Sequence, residues 1–108
     1  MTTLQILKAA RELLSTPERW TKGWSARDAA GNRLATTDPD AVCWCAGGAV
    51  ERITGGSTQS GGKAEIVLAI VLPDKAICLG LWNDAPSTTH ADILALYDRA
   101  IALEEARQ

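Results

Sequence analysis

Apolar residues recur at helical spacing near the start of the chain, at Leu4, Ile6, Leu7, Ala10, Leu13 and Leu14. That period lines one face of an α-helix. Thr2 stands three residues before Gln5. This is the spacing of a capping box, in which both side chains serve backbone amides left free at a helix start. The pattern predicts a helix from about Thr3 to Ser15, stopped by Pro17. Alternation then fails until Trp24–Asp28 and Arg33–Thr36, two short segments flanking Ala30-Gly31-Asn32. Those turn residues accept positive φ, so the segments are predicted to pair as a short hairpin lying against the helices through Trp20 and Trp24.

A second helix is predicted from Asp38 as N-cap and Pro39 at the first helical position, where a missing amide costs nothing. Val42, Cys45, Ala46, Ala49, Val50 and Ile53 would form its apolar face, and Gly55-Gly56 its end. Gly47 and Gly48 each cost such a helix about 1 kcal/mol relative to alanine, which implies close approach of a backbone or a ring. Thr54–Gly62 reads as a Gly/Ser loop. Glu65–Leu72 suits either a buried strand or a buried helix; helix is preferred because no second strong strand exists to pair with it. Pro73-Asp74 marks a break and the start of a short helix to Trp82, with Ala76, Ile77, Gly80 and Leu81 on one face. Asn83–Ser87 reads as an Asx-type turn. Thr89 caps a last helix with Asp92 three residues on, and Ile93, Leu94, Tyr97, Ala100 and Ile101 form its buried face. The expectation is one mainly α domain over residues 1–108, of about five helices, with a short β-hairpin between helices 1 and 2.

Composition narrows the function. The net charge is −2 with acids and bases interspersed, so no basic stripe exists to displace phosphate counterions; this argues against nucleic acid as the partner. The longest apolar run, Ile66–Leu72, is far shorter than the roughly 20 residues of a membrane span. Three cysteines without a leader segment point to reduced thiols in the cytoplasm.

The residues offer two kinds of site. In the enzymatic one, Cys45 is a nucleophile, His90 its base and Asp84 or Asn83 the orienting group of a small hydrolase or transferase. Against it, a thiol in the middle of an apolar helical face stays protonated. Cys43, Cys45, Cys78 and His90 have the ligand types of a zinc site, but residues two apart on a helix diverge by about 200°, so no metal or other cofactor is expected. In the non-enzymatic one, Arg19, Trp20, Trp24, Arg27 and Arg33 form a binding face, because tryptophan and arginine dominate interface hot spots.

Several local motifs occur in a fixed order: Arg19-Trp20-Thr21-Lys22-Gly23, Ala26-Arg27-Asp28-Ala29, Trp44-Cys45-Ala46-Gly47-Gly48-Ala49, Trp82-Asn83-Asp84-Ala85-Pro86, and Thr89–Leu94 with Asp98–Ile101. This order resembles a family of small bacterial and phage proteins of unknown function. The resemblance implies a cytosolic, mostly helical domain associated with mobile elements, and brings no activity or catalytic residue. The functional expectation is a protein-binding or regulatory module with an unidentified protein partner, of which counter-defence is one example. Homodimerisation through Glu65–Leu72 is a further expectation.

Overall fold

The computed structural model of the chain describes residues 1–73 and 76–107. It is mainly α, with five α-helices and a two-stranded antiparallel sheet among the described residues. Helix α1 spans Thr3–Leu13 and carries the expected capping box: Gln5 N donates to Thr2 Oγ1 (3.1 Å), and Thr2 N donates to Gln5 Oε1 (2.8 Å). A 3₁₀ turn, Pro17–Arg19, follows. Strand β1 is Ala26–Arg27 and strand β2 is Cys43–Trp44. Helices α2 (Ala46–Thr54), α3 (Thr58–Ile70), α4 (Leu79–Asp84) and α5 (His90–Ala106) complete the chain. None of the described helices is long and apolar enough to cross a membrane.

The core is shared by α1, α2, α3 and α5, with α4 set against α2. Ile6, Leu7, Leu14, Val50, Leu68, Ile93, Leu96 and Tyr97 are its largest apolar members, all with under 2% of their surface exposed. Each such aliphatic or aromatic side chain contributes about 1.5–3 kcal/mol on burial. The Tyr97 hydroxyl donates to the Ala46 carbonyl (2.6 Å), fixing the first turn of α2 against α5. Burial pushes the Tyr97 phenol far above its ordinary value, which keeps it a donor at neutral pH.

The second helix begins seven residues later than the sequence predicts. Asp38 Oδ1 accepts from Asp40 N (2.8 Å), and Ala41 N donates to the Asp38 carbonyl (3.1 Å), so Asp38-Pro39 opens a turn rather than a helix. Cys43 and Trp44 are extended and pair with β1 in the register Ala26↔Trp44 and Arg27↔Cys43. The predicted pairing of β1 with the Arg33 segment is present as a single Arg27↔Arg33 bridge. Trp44 is buried, with Nε1 donating to the Thr36 carbonyl (3.0 Å) and the Arg52 guanidinium over its ring at 5.3 Å.

Gly48 explains why this junction holds. A Cβ there would lie 2.3 Å from the Ser25 carbonyl oxygen, so only glycine lets β1 approach the start of α2. Two other segments differ from expectation. Helix α3 begins at Thr58, inside the predicted Gly/Ser loop, and Gly61 lets it close on Val50 and Thr54 of α2. Ala76 and Ile77 are not helical, Ile77 is 85% exposed, and Leu81 is exposed as well; the predicted start at Asp74 lies outside the described residues.

Candidate functional site

The three central sequence motifs converge at one place. Asn83, in the last turn of α4, is buried with 1% of its surface exposed. Its Oδ1 accepts from Trp20 Nε1 (2.8 Å) and from Ala46 N (2.9 Å). Its Nδ2 donates to the Thr21 carbonyl (3.1 Å) and to Asp84 Oδ1 (3.0 Å). Both donors and both acceptor directions of the amide are therefore used, and one side chain joins α4, the Trp20–Thr21 segment and the N-terminus of α2. The sequence marks Asn83 as a turn residue or, in the enzymatic reading, an orienting group. No spacing rule signals partners so far away in the chain.

The segment after Trp20 is held residue by residue. Thr21 N donates to the Trp44 carbonyl (3.0 Å), Gly23 N to Asp84 Oδ1 (2.9 Å), and Lys22 Nζ to the Ala85 carbonyl (2.7 Å). Gly23 has φ +83°, a backbone state that L side chains rarely adopt. The Ser25 carbonyl accepts from Cys45 N (3.1 Å). Trp24 thus stands between two anchored neighbours, with 47% of its surface exposed. The Arg33 guanidinium lies 4.8 Å from its ring centroid, a cation–π pair.

The five predicted binding residues therefore divide. Trp24 and Arg33 meet at the surface, and Arg19 is exposed. Trp20 is half-buried, hydrogen-bonded to Asn83, and packs against His90 and Lys22. Arg27 closes the loop on itself, donating to the carbonyls of Gly31 (3.0 Å) and Lys22 (3.2 Å).

Beside Trp24 lies a cleft of about 170 Å³ lined by Gly23, Trp24, Ser25, Cys45, Gly80, Asn83 and Asp84. Cys45 is not in mid-helix as predicted. It is the N-cap of α2, and its Sγ accepts from Gly48 N (3.1 Å). Burial pushes its thiol pKa up, the amides of Gly48 and Gly47 pull the other way, and the charges of Asp84 and Glu51 add to the rise. The balance leaves a neutral thiol. Of the three residues in the enzymatic reading, the cleft brings together Cys45 and Asp84. His90 is not among its lining residues: its Nε2 donates to the Leu14 carbonyl (2.6 Å) and its ring faces Trp20 at 6.2 Å. No group of three or more His, Cys, Asp or Glu side chains suited to a metal ion occurs among the described residues. Ile66 and Ile70, in the segment proposed for self-association, are 60% and 61% exposed.

Fold and site together define a small, mainly helical domain that presents the exposed Trp24 on an anchored loop. The chain belongs to DUF6197, a family of unknown function whose model matches residues 1–103. No curated protein and no solved structure matches the chain.

Proposed function

We propose that this protein is a non-enzymatic binding module that docks a protein partner on the loop carrying Trp24 and Arg33. The observation that supports it is the contrast among the tryptophans. Trp20, Trp44 and Trp82 are buried or half-buried, whereas Trp24 is exposed on a loop whose backbone is pinned on both sides. A large side chain held in place before binding contributes area without a further ordering cost. Capture experiments with wild type and Trp24→Ala test this. Loss of a partner with an unchanged melting temperature supports docking. A collapsed melting temperature makes Trp24 a packing residue and removes the proposal. A reducing compartment fits the three free cysteines, and a phage or mobile-element setting is carried by the sequence resemblance alone.

One observation favours a second reading. Cys45 lines the cleft at a helix N-cap, where the amides of Gly48 and Gly47 oppose the rise that burial imposes on its thiol. Chemistry there would proceed without His90. Rapid alkylation of Cys45 at neutral pH would favour this reading over docking.

A further inference from the structure

We infer that the docking face takes an acidic partner segment, one that sets carboxylates against Arg33 and the indole N–H of Trp24. This rests on the docking reading above and adds the chemistry of the occupant. Residues 19–33 hold four cations, Arg19, Lys22, Arg27 and Arg33, and one carboxylate, Asp28, for a net +3; the whole chain is −2, so the remainder is −5. One acidic group from outside the stretch reaches it, Asp84, which accepts from Gly23 N (2.9 Å) and lines the cleft beside Trp24, and the stretch stays positive with that charge included. The ion pairs among the described residues are Lys8–Glu105, Arg11–Asp98 and Arg107–Glu104, and none involves these four cations.

Asp28 is turned to its own loop, where it accepts from Ala30 N, Asn32 N and Asn32 Nδ2 at 2.8–3.1 Å. Those bonds, the Asn32 side chain first, hold its carboxyl below the ordinary value. Lys22 and Arg27 donate to carbonyls, which orients them without cancelling their charge. The guanidinium groups of Arg19 and Arg33 have no hydrogen-bond or ion-pair partner among the described residues; that of Arg33 rests over the Trp24 ring. The indole N–H groups of Trp20 and Trp44 are satisfied by Asn83 and Thr36, whereas that of Trp24 has no acceptor among the described residues.

The face therefore offers donors and positive charge around an aromatic anchor. Carboxylates complement it: a guanidinium binds them through paired N–H groups, and opposite potentials steer encounter and reject wrong partners. Nucleic acid is also anionic and stacks on tryptophan. A long phosphate backbone, however, would run from this short positive stretch onto a molecule that is −5 elsewhere. A short acidic peptide segment would not.

A random dodecapeptide display library, selected on wild type and counter-selected on Trp24→Ala, tests the inference, with a single-stranded oligothymidine as the nucleic-acid probe. Enriched peptides are expected to be rich in Asp and Glu. Their affinity should fall at least about tenfold with Arg33→Glu, and by a similar factor between about 50 and about 300 mM salt. Arg33→Gln, which removes charge at an exposed position without reversing it, should give an intermediate loss. Trp24-dependent peptides of neutral or basic composition would overturn the acidic partner and leave the docking face standing. Absence of any Trp24-dependent enrichment would overturn both. Trp24-dependent binding of oligothymidine tighter than that of every selected peptide would overturn the inference in favour of nucleic acid.

Discussion

Replacing Asn83 should be among the most damaging single changes in the protein. Asn83→Ala deletes four hydrogen bonds, to Trp20 Nε1, Ala46 N, the Thr21 carbonyl and Asp84 Oδ1. Each contributes about 1 kcal/mol net, and a buried donor left unpaired costs about 1–3 kcal/mol. Ala46 N, at the first position of α2 and in a fully buried residue, is such a donor. The bonds share one side chain and do not add independently, so the expected loss is about 3–5 kcal/mol. A domain of this size has about 5–15 kcal/mol in all. Urea denaturation followed by circular dichroism reads the change. Asn83→Asp supplies a second, sharper check. It keeps an acceptor for Trp20 and Ala46 but aims a second oxygen at the Thr21 carbonyl and the Asp84 carboxylate, where donors are required. Its loss should be as large at neutral pH and should shrink in acid, as the introduced carboxyl protonates and donates again. If Asn83→Ala stays within about 1 kcal/mol of wild type, Asn83 does not hold the loop.

Three further outcomes are expected. Gly47 and Gly48 should respond in opposite directions to alanine: at Gly47 the nearest atom to a new Cβ is Leu79 Cδ2 at 3.7 Å, so helix propensity adds up to about 1 kcal/mol, whereas at Gly48 the 2.3 Å clash with Ser25 should cost about 1–3 kcal/mol in thermal or urea unfolding. Cys45 should alkylate with iodoacetamide more slowly than the exposed Cys78 at neutral pH, read by peptide mass mapping, because its burial favours the neutral thiol. Glu65→Gln should stabilise the fold slightly at neutral pH. Burial, then the charge of Glu51, raises the Glu65 pKa above its ordinary value, so the folded state binds this proton more readily than the unfolded chain. Stability contributed by that proton therefore grows as pH falls through the raised pKa, and the advantage of the glutamine variant should vanish below the ordinary carboxyl range in pH-dependent melts; parity at neutral pH would contradict it.

Much of the helical framework was legible because its signals are local. Both capping boxes, Thr2–Gln5 and Thr89–Asp92, sit where the spacing places them. The periodicity of α1 and α5 identifies most of their buried residues. The errors arise where long-range contacts outweigh local preference. Asp38-Pro39 has the chemistry of a helix start and equally that of an Asx turn; pairing of β2 with β1 selects the turn. The glycines of α3 read as a loop, yet Gly61 packs closely on α2, where an added Cβ would lie 3.3 Å from Thr54 Oγ1 and 3.4 Å from Val50 Cγ1. Cys45 falls on an apolar helical face only if the helix begins at Pro39, and beginning at Ala46 makes it a cap. Of the candidate site, the residue types Trp24, Arg33 and Cys45 were visible. The separation of exposed Trp24 from structural Trp20 was not, because it depends on Asn83, more than sixty residues away in the chain.

The measurement that tests the docking account most directly is the partner affinity of folded Trp24→Ala and Cys45→Ser, side by side with wild type. The account predicts that the tryptophan variant loses the partner at an unchanged melting temperature, while the serine variant retains it. Retention by the tryptophan variant together with loss in the serine variant would move the function from the exposed indole to the thiol in the cleft.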